Sequence, residues 1–508
     1  MPARVLVIAL DAFDKDLLLQ WAAAGELPAL AALQSKSTWG VTDAPAAIYA
    51  GAVWPSFNTG MSPAHHRRFF RRQAKRGEYL DADFTPTDIV GETFWEILSD
   101  AGRRVAVVDT PHTRLPRRLN GMQVVDWAVH EPETEQASTY PAELRGEVLS
   151  RFGTEPPDLC EQTTQTAEGH RALFDHLSAR LRNKVAMSKH YLAAEDWDFF
   201  ITAFGEPHCA GHQWWHLHDP THPAHDAPLA AQTGDLMKAA YVAVDRAVGE
   251  LIDGLPAQTR VVVLCSHGMG PLYGESVALD EVLRRLEPPQ AAKGSLFQGL
   301  KRLWYMLPAS LRALSPAREL RLRMQGSLHQ SLLVPERQAR RFFSIPHNPH
   351  GGAIRINLAG RETHGRVQPG TEYREVCAYL RDELLALRCP ETGEPVVTGV
   401  DIIADLFEGP FIDELPDLIV NWNRQRPLRQ MSSPHIGTVA IPRIVGRTGD
   451  HTRAGLFLAS GPGLGARRLE RNVSILDFAP TFTAWLDVPT PPQFSGQPIA
   501  ELVGGDRR

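Results

Sequence analysis

The sequence predicts an open α/β fold: one large, mainly parallel sheet with helices on both faces. Three observations carry this. Val5 to Leu10 is an unbroken apolar run of strand length, the pattern of a strand buried on both faces. Such runs recur along the chain, separated by stretches of helical periodicity. The chain has 508 residues, 43% of them hydrophobic and 22% charged, ample for a large core and too many for one minimal domain.

The first run ends at Asp11. Helical periodicity follows through Leu17, Leu18, Trp21 and Ala22 and stops at Gly25. Phe94, Trp95, Ile97 and Leu98 mark another helix, stopped by Gly102 and followed by a strand at Val105 to Val108. Further strands are expected at Phe199 to Phe204, Val261 to Leu264 and Gly455 to Ala459. Residues 280–345 differ. They are rich in Arg, Leu and aromatic residues, are broken by Pro289, Pro308 and Pro316, and read as a helical insertion or cap. Ala353 to Leu358 alternates and should be a strand nearby. The expected organisation is a core made of 1–279 and 346–503, an insertion at 280–345, and a frayed tail from Gly504.

The net charge of −6 gives no global basic field, so nucleic acid is not an expected partner. Basic residues cluster locally at His65-His66-Arg67-Arg68 and Arg71-Arg72. The first reading is a solvated surface and the second a phosphate-attracting rim. The five cysteines are scattered without a CxxC pair, which points to reduced thiols and a cytoplasmic setting. The N-terminal apolar run is too short for a signal peptide, and no stretch reaches the ~20 apolar residues of a membrane helix. The oligomeric state is left open.

Open parallel sheets place their sites beyond the carboxyl ends of the strands. Asp11 follows the first run; Glu206, His208 and His212 follow Phe199 to Phe204; Ser266-His267 follows Val261 to Leu264; Asp450-His451 precedes Gly455 to Ala459. Four separate segments thus deliver an acid or imidazole to one edge, a donor set suited to zinc, manganese or iron. Taken singly, each piece has a plainer reading. Asp11 fits a helix N-cap, His208 and His212 a surface pair four apart, His267 a turn residue. Their combination favours a shared metal site at Asp11, His208, His212, His267 and His451.

At these residues the chain resembles the type I phosphodiesterase/nucleotide pyrophosphatase branch of the alkaline-phosphatase superfamily. Val7-Ile-Ala-Leu-Asp11 resembles the first metal-ligand strand. Leu27-Pro28-Ala29-Leu30 is similar to its LP-x-L helix, and Trp54 to His65 to its W-x-SF-x-TG-x-x-P-x-x-H segment. Gly211-His212, His267-Gly268-Met269, Asp450-His451 and Asp477-Phe-Ala-Pro480-Thr481 follow in the family's order. The resemblance implies an alkaline-phosphatase-like fold, one or two metal ions (zinc first), and hydrolysis of a phosphodiester or phosphoanhydride bond in a small organic substrate. Phosphomonoester, sulfate ester or phosphonate hydrolysis is the enzymatic alternative, and a non-catalytic binding relative is the other.

Three departures mark this chain. His208 stands where the family has an aspartate, Ser266 replaces the aspartate of DHG, and the gapless count places Ala50 at the nucleophile position. Thr42, Tyr49 and Ser56 are the nearby hydroxyls; Ser56, kept as a catalytic candidate, also reads as a helix-start residue. Metal-bound water with Glu206 or His208 as base is one way to act without a nucleophilic side chain; a shifted nucleophile is another. His347, Asn348 and His350, before the Arg355-Ile356-Asn357 run, are expected to line the substrate, with packing as the competing role.

Overall fold

The computed structural model describes residues 3–48, 51–128, 136–154, 164–287, 334–442 and 446–504. Five parallel strands form the centre of a ten-stranded sheet, in the order Arg260–Cys265, Ala3–Leu10, Trp197–Phe204, Val105–Val108, Gly121–Val125. Ala454–Ser460 runs antiparallel between Arg260–Cys265 and Thr38–Asp43, and Ser138–Tyr140 closes the far edge, also antiparallel.

The unbroken apolar run of the first strand has a direct structural cause. Val5, Val7 and Ala9 pack on one face with the helices Phe94–Asp100 and Phe478–Trp485. Leu6, Ile8 and Leu10 pack on the other with Ala167–Ala194 and Leu236–Ile252. Neither face meets water, so no polar alternation is possible.

A second, four-stranded antiparallel sheet stands apart from the first, in the order Phe342–Ile345, Gly351–Ile356, Leu418–Trp422, Val397–Ile402. It has its own apolar core, built with the helices Leu279–Leu286 and Thr371–Leu385. The insertion expected at 280–345 is described only at its ends, where a helix and a strand both join this sheet; 288–333 lie outside the described residues. The strand expected at Ala353 to Leu358 begins at Gly351 and is buried throughout, because its outer face is covered rather than solvated.

Two further expectations are corrected. Cys209 is disulfide-bonded, so the cysteines are not all reduced; Cys265, Cys377 and Cys389 are free and buried, and Cys160 lies outside the described residues. Asp14, not Asp11, caps the first helix, Lys15–Ala23, accepting from the backbone N–H groups of Asp16 and Leu17. Among the described residues no helix is long and apolar enough to cross a membrane.

Candidate metal centre

Strand register assembles the site. Leu10 pairs with Phe204 on one side and Cys265 on the other, so Asp11, Gly205 and Ser266 leave the sheet at one level. The helix Glu206–His218 starts there and carries His208 and His212 one turn apart on one face. Just past Ser266 and His267, Gly268–Pro271 pairs antiparallel with Gly449–Thr452, setting Met269 opposite His451. Two glycines permit this closeness. A Cβ on Gly211 would lie 2.4 Å from Met269 Cγ, and one on Gly449 would lie 2.3 Å from the Gly211 carbonyl oxygen. The glycine of Gly211-His212 thus lets its helix seat against the two-stranded ribbon that brings His451.

The imidazoles converge. His208 Nε2 lies 2.8 Å from His212 Nε2 and 3.0 Å from His451 Nε2. Among the described residues these three form a group whose candidate ligand atoms all lie within 4.8 Å of one another. Their other nitrogens decide the protonation. His212 Nδ1 meets the Gly449 carbonyl at 2.7 Å, and a carbonyl only accepts, so the proton is on Nδ1. His208 Nδ1 meets Asp11 Oδ2 at 2.6 Å. Burial opposes charge on Asp11, but the neighbouring His208 and His267 and the Trp54 N–H outweigh it and hold the carboxyl well below its usual range. Asp11 is therefore an acceptor and His208 Nδ1 a donor. His208 and His212 thus turn their Nε2 atoms toward each other at 2.8 Å, a juxtaposition of ring nitrogens that a bound cation would share.

The donor chemistry fits a transition metal. Burial pushes the pKa values of His212 and His451 well below normal and that of His267 down to about 4, so none competes for a proton at neutral pH. Two nitrogens on one zinc, at roughly 2.0–2.1 Å with tetrahedral angles, sit about 3.3 Å apart, close to the spacings here. Each ring has an orienting partner: Asp11 for His208, Gly449 for His212, and Asn348 Nδ2 at 3.0 Å from His451 Nδ1. Asp11 is fixed in turn by Trp54, whose indole N–H donates to Oδ1 at 2.8 Å.

His267 stands beside the trio. Its Nδ1 lies 3.9 Å from Asp11 Oδ1 and 2.9 Å from Ser266 Oγ, while its buried Nε2 has no hydrogen-bond partner. Asp11 and His267 are thus neighbours, but the residue beside His267 that would complete a second ion's ligands offers only the Ser266 hydroxyl.

The remaining expected residues scatter. Ser56 is fully buried inside the helix Val53–Thr59, whose N-cap is Ala52, so it is not a helix-start residue; its hydroxyl is 2.9 Å from His66 Nε2. Thr42 donates to the Cys265 carbonyl within the sheet at 3.0 Å. Tyr49 and Ala50 lie outside the described residues. Glu206 is buried and paired with Arg180 at 2.7 Å. Asn348 borders the site, donating to Asp450 Oδ1 at 3.3 Å and accepting from the His350 N–H at 2.8 Å. His350 is buried against Arg424, and His347 packs on Phe70 and lines a neighbouring cavity.

His208, His267 and His451 line a cleft of about 80 Å³ whose walls include Arg68, Arg71, His112, Arg447 and Asp450. Of these, sequence reading singled out only Asp450, beside His451. The basic run at 65–72 was the signal for Arg68 and Arg71, and the Val105–Val108 run, four residues upstream, could have pointed to His112, whereas Arg447 carries no local mark. Among the described lining residues there is no hydroxyl or thiol.

Comparison with known proteins was made on this basis. A family model described as type I phosphodiesterase / nucleotide pyrophosphatase matches residues 5–423, ending before Asp450 and His451. No curated protein matches. Among solved structures, phosphonoacetate hydrolase from Sinorhizobium meliloti 1021, in complex with phosphonoformate, is similar over 95% of this chain and 94% of its own, at 17% identity and a TM-score of 0.49. Human ectonucleotide pyrophosphatase / phosphodiesterase 5 is similar over 99% of both chains, at 11% identity and a TM-score of 0.49.

Proposed function

Given that the chain belongs to the type I phosphodiesterase/nucleotide pyrophosphatase family, and so is a metal-dependent phosphoester hydrolase of the alkaline-phosphatase superfamily, we propose that it cleaves a small phosphodiester or phosphoanhydride by direct attack of water, with no covalent enzyme intermediate. The observation that supports this is where the described hydroxyls weighed from sequence lie: Ser56 is fully buried against His66, and Thr42 donates to the Cys265 carbonyl within the sheet.

In this reading His208, His212 and His451 hold one divalent transition metal, zinc by preference, for three imidazoles with an open fourth position suit a catalytic zinc. The ion supplies Lewis-acid stabilisation of charge on the phosphoryl oxygens. Asp11 and the Gly449 carbonyl aim two of the rings, and Asn348 borders the third at His451 Nδ1. Asp11 and His267 are assigned to supporting the trio rather than to a second ion, because Ser266 replaces a carboxylate. Asn348 lines the substrate; His347 and His350 act behind it.

The base named from sequence needs revision. Glu206 is held by Arg180 and is not among the cleft-lining residues. Of the carboxylates in the cleft, Asp11 is committed to Trp54 and His208, which leaves Asp450. Burial raises the Asp450 pKa to about 6, near the value at which a carboxylate takes a proton from water at neutral pH. Water oxygen then bonds to phosphorus, the bridging P–O bond breaks, and the leaving oxygen ends protonated from solvent.

The cytoplasmic expectation rested on the scattered cysteines, the short N-terminal apolar run and the lack of a membrane-length apolar stretch, and the disulfide at Cys209 weakens the first of these grounds. The reaction course is tested by hydrolysing a substrate that is chiral at phosphorus. Direct attack gives inversion; retention would show two displacements and overturn the proposal.

A further inference from the structure

Thr448 immediately precedes the strand Gly449–Thr452 and is buried. Each of its polar groups is engaged, and the partners belong to the segments that carry the imidazoles. Its N–H donates to the His212 carbonyl at 2.8 Å. Its carbonyl accepts at 2.9 Å from the N–H of Leu272, just past the strand Gly268–Pro271 that follows His267. Its hydroxyl oxygen accepts from the His216 N–H at 3.2 Å, lies 3.0 Å from His216 Nδ1 and reaches the His212 carbonyl at 3.4 Å. The next residue adds the Gly449 carbonyl, 2.7 Å from His212 Nδ1.

These contacts fall on a single turn of the helix Glu206–His218, from His212 to His216. In an α-helix the carbonyl of one residue faces the N–H four residues on, so one hydroxyl beside that pair can reach both. Thr448 stands there: its backbone holds the carbonyl end and its hydroxyl the amide end. Gly449 lets the strand approach, since a Cβ there would also lie 3.2 Å from Trp215 Cβ. A grip on the His212 carbonyl alone would leave the helix free to roll about its axis. The hydroxyl adds a contact one turn further on, at His216, and so fixes the roll. Roll matters because His208 and His212 share one face, and His208 Nε2 must stay beside His451 Nε2, 3.0 Å away on the other element. Metal–ligand distances tolerate only roughly 0.2 Å of error, and the length of a histidine side chain magnifies any rotation at the backbone.

We propose that Thr448 is a positioning residue of the metal centre: its hydroxyl locks the His212–His216 turn to the strand of His451, so that His208, His212 and His451 are presented to the ion together. Thr448 acts through these segments and is not among the cleft-lining residues. The proposal rests on the three-imidazole reading above and deepens it.

Thr448→Val keeps the shape and both backbone bonds but removes the hydroxyl, and Thr448→Ser keeps the hydroxyl. Chelator competition should show zinc affinity about tenfold or more lower in Thr448→Val and within about threefold of wild type in Thr448→Ser. The visible spectrum of the cobalt-loaded protein, which reports ligand geometry, should change in Thr448→Val and return in Thr448→Ser. Urea unfolding of the metal-free proteins separates positioning from mere support of the fold. Lower metal-free stability with wild-type affinity and spectrum would overturn the inference, as would a serine variant no better than the valine one. A measurement on wild type needs no variant. Coupling is reciprocal, so zinc should slow hydrogen exchange at the Thr448 N–H by about tenfold or more; an unchanged rate contradicts the proposal. If wild type binds neither zinc nor cobalt, the three-imidazole reading fails and takes this inference with it. That pattern is distinct from a metal-binding wild type whose affinity is indifferent to the Thr448 hydroxyl.

Discussion

His208 and His212 face each other Nε2 to Nε2 at 2.8 Å, although both carry their protons on the opposite nitrogen. The groups that set this arrangement, Asp11 and the Gly449 carbonyl, come from other segments of the chain. Asp11 is therefore the key positioning group. Asp11→Asn keeps the shape but replaces an ionised acceptor with a neutral amide. Metal affinity should fall by about 10–100-fold, read by competition with a chelator, while the folded-state circular dichroism is kept.

Ser56 is a packing hydroxyl in this account. Its partner is His66, whose pKa burial drives down to about 3, so the pair is neutral. Ser56→Ala should keep kcat/KM within about threefold and cost about 1 kcal/mol for the lost hydrogen bond. A phosphorylated serine trapped at this position would contradict it.

Arg180 and Glu206 form a buried ion pair with side-chain exposures of 4% and 3%. Breaking it from one side leaves a buried charge alone. Arg180→Met should cost about 3–5 kcal/mol, measured by urea unfolding, and the double variant Arg180→Met/Glu206→Gln should recover much of that. An active double variant would remove Glu206 as the base; an inactive but folded one would reinstate it.

Asp14 gives a pH signature of stability away from the metal centre. Burial raises its pKa from 3.8 to about 6. A carboxyl with a raised folded pKa contributes fully below pH 3.8, and that contribution is lost as pH rises through about 6. At pH 7.5 the ionised group is a burden that Asn would not carry, and Asn still caps the helix. Asp14→Asn should raise stability at pH 7.5 by on the order of 2 kcal/mol and leave it unchanged near pH 4.

The strands were legible because burial on both faces makes a central parallel strand continuous in sequence, as in Val5 to Leu10. The edge residues Asp11, His208, His212, His267 and Asp450-His451 were legible for the same reason: each sits next to such a run. Other features depend on pairings that no local pattern encodes. The second sheet joins Phe342–Ile345 to Leu418–Trp422 through Gly351–Ile356, with the helix Thr371–Leu385 between the last two in sequence. Glu206 looked like a free acid because its partner Arg180 lies one helix earlier. The basic run at 65–72 is read as solvated until its loop is seen to fold inward at Arg68.

Metal stoichiometry tests the account most directly. Elemental analysis of the purified chain, with single variants His208→Ala, His212→Ala and His451→Ala, should show one divalent transition metal per wild-type chain and far less than one in each variant, at unchanged fold. Two ions per chain, or one ion that survives all three substitutions, would contradict it.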